Sequence, residues 1–325
     1  MAPLVSFLVA LLSLTASALN NDVTERTAPC GAREFNTRQI DWPFERNLDR
    51  QLRTMTRSQF LTFPVTIPTV FHIIHRSGDG NVSDSYLDAQ LELLNSDYAQ
   101  TGLFKFEKAG VTRTENARWW ASRGTTLYPQ SHKQYTMKEE LRQGGPDVLN
   151  VYVTLLYPSL LGYATFPQDY EERPLDDGVV INVLSLPGIG AYGEDFFGRT
   201  LVHEVGHWLG LYHTFQGSCS FPNDFVSDTM PQKGPAFGCP VPEQTCSHED
   251  FERSDRVSWE QISHMNDTFA NIMDYRDDSC SGSFTEGQIK RMKLVWQFMR
   301  NQKVSDRKLY PNLEKPQSIP VHEYK

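Results

Sequence analysis

The residues best suited to chemistry lie in one stretch, HEVGHWLGLYH, which runs from His203 to His213. If residues 201–209 form a helix, His203 and His207 are one turn apart on the same face, where both imidazoles can hold one zinc ion. Gly210 can adopt the left-handed conformation that ends the helix, so that the chain turns back and delivers His213 as a third ligand. Three histidines leave the fourth zinc position to water, which is typical of catalytic sites and not of closed structural sites.

Glu204 follows the first histidine and therefore lies beside the predicted zinc ion. A zinc ion held by three neutral imidazoles can lower the pKa of its bound water from 15.7 toward about 7. Glu204 is then the candidate general base, which takes a proton as the water attacks a carbonyl and passes it to the leaving amine. The short pattern His-Glu-x-x-His also occurs by chance on helices, but the added glycine and third histidine make coincidence a poor explanation.

The chain around this stretch predicts an α+β fold that positions the site. Residue patterns predict strands at 65–75, 104–112, 149–155 and 178–183, and helices at 84–100, 135–141 and 286–301. The last helix begins with a capping box formed by Thr285 and Gln288. Residues 161–167 are predicted to form an extended piece at a sheet edge, because proline is tolerated there, and such an edge could pair with an extended peptide.

Two further histidines, His72 and His75, lie in the first predicted strand. Their odd separation places them on opposite faces of a strand, so they cannot share a metal ion within it. We therefore interpret both as structural residues.

The two ends of the chain predict segments outside the catalytic unit. Residues 1–18 contain a short apolar run followed by an Ala-x-Ala site, as in a secretory signal peptide, and the run is too short for the alternative of a membrane anchor. Residues 19–60 are polar and arginine-rich, as expected of a pro-segment, and are followed by a catalytic domain at 61–304 and a polar tail at 305–325. We therefore expect a secreted, extracellular protein that is made as a latent precursor.

The charge of the chain restricts its partners. The net charge is −9 and the sequence has no Lys/Arg block, which argues against nucleic acid or an anionic membrane as a partner. Protein or peptide substrates are the expected partners, and we expect a monomer. Asn81 and Asn266 lie in possible N-glycosylation sequons, which are common and often unused.

Five cysteines in a secreted chain suggest two disulfides and one cysteine left over. Cys30 lies in the predicted pro-segment, apart from the other four. A thiolate is a good zinc ligand, so Cys30 could fill the fourth zinc position and exclude the water that hydrolysis needs. The alternatives are a thiol without a role or a third partner for a disulfide. Arg53 and Arg57 offer cleavage points that would release the segment.

A tight polar loop, NDFVSDT, follows the zinc stretch and contains Asp224, Asp228 and Thr229. Oxygen ligands at this density could hold a calcium ion. An ordinary solvated turn is the alternative that the spacing leaves open.

The zinc stretch with a downstream Met-Asp-Tyr resembles the metzincins, and the order of motifs is similar to the pappalysin (cytophagalysin) family, particularly its secreted fungal extracellular metalloproteinases. The matching stretches are 161–167, 203–213, 224–229, 238–240, 271–275 and 284–288, so the resemblance extends over about residues 67–300. It implies a metzincin-type catalytic domain with an upper mixed sheet, a backing helix and an active-site helix. A lower, irregular subdomain would bear the disulfides and end in a helix.

The same resemblance implies roles for individual residues. Met273 would form the floor beneath the zinc ion, and Tyr275 would lie at the rim of the cleft, where its hydroxyl could donate a hydrogen bond to the developing oxyanion. Family members also suggest the pairings Cys219–Cys246 and Cys239–Cys280.

The sequence therefore predicts a secreted zinc endopeptidase with Glu204 as general base. One alternative is a non-catalytic secreted zinc-binding protein, which the presence of Glu204 makes less attractive. Another is a zinc amidase that acts on non-peptide amides, although the predicted substrate edge at 161–166 favours extended peptides.

Overall fold

The computed structural model describes residues 30–31, 44–46, 48, 50, 64–120, 132–156, 160–189, 198–220, 222–239, 245–247, 249–250 and 270–301. The predicted signal peptide, most of the predicted pro-segment, both candidate cleavage points, Asn266 and the polar tail lie outside these residues.

Five strands form one sheet in the order β2-β1-β3-β5-β4. Their bounds are β1 Val65–His75, β2 Phe104–Glu115, β3 Leu149–Thr154, β4 Gly162–Ala164 and β5 Val179–Asn182. Strands β2, β1, β3 and β5 pair in parallel, whereas β4 is antiparallel to β5, which confirms the prediction of a mixed sheet. β3 and β5 are buried along their whole length, because strands inside a parallel sheet are covered on both faces. β4 is the last strand in the order, which is the predicted edge position.

Two helices pack on this sheet and place the zinc stretch at its edge. Helix α1 (Asp84–Ala99) lies against β2, and its buried side chains Leu87, Leu94 and Tyr98 recur at helical spacing. A short helix α2 spans His132–Leu141, and helix α3 (Thr200–Trp208) contains the first two histidines of the zinc stretch. α3 contacts α1, β4 and β5, so the backing helix and the active-site helix are both present.

The C-terminal helix differs from its prediction in its last turn. Helix α4 (Glu286–Val295) begins with the predicted capping box, in which Thr285 Oγ1 accepts from the Gln288 amide and Gln288 Oε1 accepts from the Thr285 amide. The chain is helical through Arg300, close to the predicted end at 301, but Trp296–Arg300 form a π-helical turn and do not continue the α-helix. This turn buries Arg300, whose guanidinium donates to the Asp177 carboxylate and to the Trp208 carbonyl.

The chain between α3 and α4 is mostly irregular in its described parts and carries two disulfides. The bonds join Cys219 to Cys246 and Cys239 to Cys280, the pairings implied by the family resemblance. These cross-links tie the loops below α3 together, where few regular hydrogen bonds are available.

His72 lies in the interior of the sheet and not near the zinc stretch. Its ring nitrogens are hydrogen-bonded to Thr112 Oγ1 at 2.8 Å and Asn150 Oδ1 at 3.0 Å, and its ring stacks on Tyr152. His75 is also buried, at the end of β1. The structure places both among sheet residues, in agreement with the structural interpretation.

Candidate active site

Three imidazoles from α3 and the turn that follows it converge on one point. The Nε2 atoms are 3.2 Å apart for His203 and His207, 3.2 Å for His203 and His213, and 3.1 Å for His207 and His213. A tetrahedral zinc ion with nitrogen ligands at 2.0–2.1 Å holds them about 3.3 Å from one another, so this spacing fits zinc. Gly210 makes the turn at a φ of +92°, a conformation that side chains other than glycine rarely adopt.

Backbone carbonyls orient two of these rings. His203 Nδ1 is 2.7 Å from the Ile272 carbonyl oxygen, and His207 Nδ1 is 2.7 Å from the Leu211 carbonyl oxygen. Because a carbonyl only accepts, each Nδ1 carries the proton, and each Nε2 presents its lone pair to the shared point. Burial lowers the pKa of His203 to about 4 and lowers the pKa values of His207 and His213 well below their usual range. The three rings are therefore neutral, as zinc ligands must be.

Asp278 fixes the beginning of α3, a role that the sequence analysis did not find. Its Oδ2 accepts from the amides of Gly198 and Arg199 at 2.9 and 3.0 Å. These amides precede the first helical residue and would otherwise lack acceptors, and a carboxylate here also complements the positive end of the helix dipole. No local pattern indicated this contact, because the two partners are 80 and 79 residues apart.

Glu204 is buried between α3 and the edge strand β4, with 1% of its surface exposed. A Cβ atom on Gly162 would lie 2.9 Å from Glu204 Cγ, so β4 passes the carboxylate with no room for a larger residue. Burial raises the pKa of Glu204 to about 8, and a hydrogen bond with Cys30 opposes this shift only in part. A carboxylate with a raised pKa holds a proton more firmly than one in water, which suits a group that must accept and return a proton.

Met273 and Tyr275 lie in the loop before α4, where Met273 packs against α3 and Tyr275 packs against the histidine rings. Met273 is fully buried, and its sulfur lies under Gly206 in α3. The Tyr275 ring contacts the ring of His213 with centroids 4.9 Å apart. Its hydroxyl donates to the Cys30 carbonyl oxygen at 3.3 Å. Their roles as the floor and the rim of the site stay predictions.

Cys30 joins the histidine cluster as a fourth group. Its Sγ lies 3.5 Å from His207 Nε2, and the four ligand atoms all lie within 4.8 Å of one another. The Gly31 amide donates to the Gly162 carbonyl at 2.8 Å, so Cys30 forms a parallel bridge with β4. Among the described ranges, this is the one group of at least three His, Cys, Asp or Glu side chains arranged to hold a metal ion.

The loop from Asn223 to Thr229 uses its carboxylates within the protein. Both Asp224 oxygens accept from the Thr229 hydroxyl, at 2.6 and 2.7 Å, and burial raises the pKa of Asp224 to about 7. Asp228 Oδ1 and Oδ2 accept from the Thr285 hydroxyl and the Gly287 amide at the beginning of α4. These contacts favour the structural turn over the calcium site.

Sequence comparisons connect this arrangement with known proteins. The sequence model of the peptidase family described as pregnancy-associated plasma protein-A matches residues 149–297. The extracellular metalloprotease of Arthroderma benhamiae is 37% identical over 265 residues, which cover 79% of this chain and 81% of that protein. Extracellular metalloprotease 1 of Coccidioides posadasii is 38% identical over 246 residues, which cover 74% of this chain and 80% of that protein.

Comparison with solved structures also finds proteins with a similar fold. Mature mirolysin of Tannerella forsythia, in complex with a cleaved peptide, matches with a TM-score of 0.56 and 27% identity over 74% of this chain and 97% of its own. A promirolysin mutant of the same organism matches with a TM-score of 0.60 and 26% identity over 83% of this chain and 94% of its own. No helix in the described ranges has the length and apolar character needed to cross a membrane.

Proposed function

This chain belongs to the pappalysin family of metalloproteases, and from that premise we propose that it is a secreted zinc endopeptidase made as a latent precursor. The observation that carries the proposal is the convergence of three neutral imidazoles beside a buried carboxylate, next to the edge strand β4. His203, His207 and His213 would hold the ion, and β4 would pair with an extended peptide substrate.

Glu204 performs the proton transfers in this proposal. When bound, zinc supplies a Lewis acid for the substrate carbonyl and lowers the pKa of the attacking water. Glu204 accepts a proton from that water as it attacks the carbonyl carbon, and then delivers the proton to the nitrogen of the leaving amine. Its burial supports this role, because desolvation raises the pKa of the carboxyl and makes it a stronger proton acceptor than a carboxylate in water.

Tyr275 is proposed to stabilise the oxyanion. In this structure its hydroxyl donates a hydrogen bond to a backbone carbonyl, that of Cys30, which lies beside the metal ligands. A substrate carbonyl in the same cleft would accept the same hydrogen bond, and this bond would strengthen as negative charge develops on the oxygen.

Latency is proposed to depend on Cys30. The thiol lies where the fourth ligand of zinc would be, and its neighbour Gly31 is paired with the β4 edge. Residues 30–31 therefore occupy both the water position and part of the substrate edge. Cleavage after Arg53 or Arg57 would separate residues 19–53 or 19–57 from the domain after a signal peptide at 1–18 has been removed.

The activity is tested with Glu204→Ala in the activated protein. We expect the variant to retain one zinc ion per chain and to lose about 10²–10⁴-fold in turnover, the usual contribution of a general acid–base group. Zinc content is measured by atomic emission and turnover with denatured casein. Glu140→Ala, which removes an exposed carboxylate in α2, is the matched control and should keep the parental rate.

The choice of substrates separates the two alternatives. Casein and a set of small acyl amides are assayed side by side with the parent protein. Cleavage of the amides alone would identify the amidase, and bound zinc with no cleavage of either would identify the non-catalytic binding protein. Near-parental casein cleavage by Glu204→Ala would refute the assigned mechanism.

Calcium in the loop from Asn223 to Thr229 stays a prediction. Protein groups already donate to the oxygens of both aspartates, so an ion would have to replace some of these hydrogen bonds. The proposed function does not depend on it.

A further inference from the structure

The N-terminal segment contacts the domain at a second place, separate from Cys30. Residues 44–46, 48 and 50 are helical, and Glu45 projects from this helix into a buried site. Arg291 of α4 donates to both Glu45 oxygens, at 2.7 and 2.8 Å, and the Tyr212 hydroxyl donates to Glu45 Oε1 at 2.8 Å. The Glu45 and Arg291 side chains are only 3% and 5% exposed.

Apolar contacts surround this ion pair. Leu48, one turn after Glu45, is buried against Leu294 and Val295 of α4, with Phe44 and Met299 packed on the same cluster. We call the face formed by Gly210, Tyr212, Arg291, Leu294 and Val295 the Arg291 surface. Its two contacts are with a glutamate and with a leucine three positions later in the helix. Side chains at this spacing lie on one helix face, so both can reach the surface together.

The Arg291 surface is complete only with a carboxylate in place. Bidentate pairing matches the planar guanidinium, and a buried arginine that loses its counter-ion bears an uncompensated charge. Arg291 Nε also donates to the Gly210 carbonyl at 2.7 Å. The ion pair is thus built on the turn that leads to His213, yet none of its groups belongs to the metal cluster.

We propose that the Arg291 surface holds Glu45 and Leu48 as a second anchor that needs no metal, and that the N-terminal segment stays bound as an inhibitor after the chain following it has been cut. The inference rests on the proposed latency of the precursor. With two points of attachment, release of Cys30 from the metal site leaves the segment held nearby, so that the thiol rebinds at a high effective concentration. Cutting the chain and activating the domain are therefore separate events.

The test uses the full chain with a recognition sequence for a specific protease placed between Arg53 and Arg57. After complete cutting, the fraction of segment that co-elutes with the domain in size-exclusion chromatography is followed over time, with and without a zinc chelator. We expect the parental segment to stay bound in both conditions. Glu45→Gln should shorten its retention at least tenfold in chelator, whereas Arg46→Gln, an exposed neighbour, should change it less than twofold.

A competition measurement covers the case in which Glu45→Gln impairs folding. A synthetic peptide of residues 42–52 should displace the segment from the cut parental protein, and the same peptide with Glu45→Gln should need at least tenfold more. Equal retention for Glu45→Gln and parent, or loss of the parental segment as soon as zinc is chelated, would overturn the proposal. Retention does not depend on catalysis, so a domain that retains its segment after cutting but cleaves no substrate once the segment has been displaced would contradict only the proposed function.

Discussion

At the scale of single residues, the site depends on how closely β4 passes Glu204. The carboxylate and the strand that would bind substrate are in van der Waals contact, which is possible because residue 162 has no side chain. In the proposed mechanism, this proximity keeps the candidate general base next to the strand that would pair with the substrate. Glycine at residue 162 leaves the room that the Glu204 side chain occupies.

Gly162→Ala should have a larger effect on the rate of turnover than on the free energy of unfolding. The new Cβ would lie 2.9 Å from Glu204 Cγ and from Thr200 Cγ2, so the carboxylate must move. Displacement of a catalytic group by about 1 Å can cost about 10²-fold in rate. We expect a loss of this order in casein cleavage, with zinc content unchanged.

Gly110→Ala is the control for this substitution, because it also adds a methyl group to a strand but has its closest contact, Val70 Cγ1, at 3.8 Å. It should leave turnover at the parental rate. If Gly162→Ala cleaves casein as fast as Gly110→Ala, Glu204 is not held by β4 in the way described.

At the scale of elements, contacts between distant segments hold the site elements in place. Asp278 binds the beginning of α3, and Asp228 binds the beginning of α4, each with a carboxylate from an irregular loop. The irregular part of the chain therefore stabilises the two helices that frame the histidine turn.

Asp228→Ala tests whether this loop is a helix cap or a calcium site. Loss of the bonds to Thr285 and Gly287 should lower the free energy of unfolding by about 1–2 kcal/mol. If the loop is purely structural, calcium will not change the melting temperature of the parent or of the variant. A calcium-dependent rise in the parent that disappears in Asp228→Ala would instead establish the ion.

The protein should become less stable in acid because His72 is buried in the sheet. Burial lowers the pKa of His72 to about 4 in the folded protein, while an unfolded histidine has a pKa of about 6.5. The folded state favours the neutral ring. The contribution of His72 to the free energy of unfolding is therefore complete above pH 6.5 and is lost as the pH falls toward 4. The full difference corresponds to about 3 kcal/mol.

Chemical unfolding of the parent and of His72→Gln between pH 4 and 7.5 measures this effect. Both proteins are compared in the same metal-bound state, so that the three site histidines contribute equally to each. The parent should lose more stability than the variant over this range. Parallel pH profiles would show that His72 is not responsible.

At the scale of the whole molecule, the described residues of the N-terminal segment contact the domain at two separate places. The Cys30 thiol lies beside the three imidazoles and Gly31 pairs with the sheet edge, while Glu45 and Leu48 contact α4.

Cys30→Ala should weaken latency in the intact precursor. Without the thiol, water can enter the fourth zinc position, although Gly31 still pairs with β4. We expect the uncut variant to cleave casein at least tenfold faster than the uncut parent. The two proteins should have equal zinc content, and mass spectrometry should show that the variant has not been cut. Equal latency in the two proteins would exclude Cys30 as the lock.

The sequence alone determined the parts that local periodicity controls. His203 and His207 are neighbours because an α-helix repeats every 3.6 residues, and Gly210 ends that helix because of its backbone freedom. The first strand was predicted at 65–75 and lies at Val65–His75, because a β-branched apolar run favours an extended, buried conformation.

Only the tertiary structure decided which distant groups complete the site. The Ile272 carbonyl selects the tautomer of His203, and the Asp278 carboxylate accepts from a backbone amide at the beginning of α3. Glu45 pairs with Arg291, which lies 246 residues later in the chain. Such pairs leave no periodic signal, because the partners meet only after the sheet and helices have packed. The π-helical turn at Trp296–Arg300 belongs with them, because its last residue, Arg300, donates to Asp177, which lies 123 residues earlier in the chain.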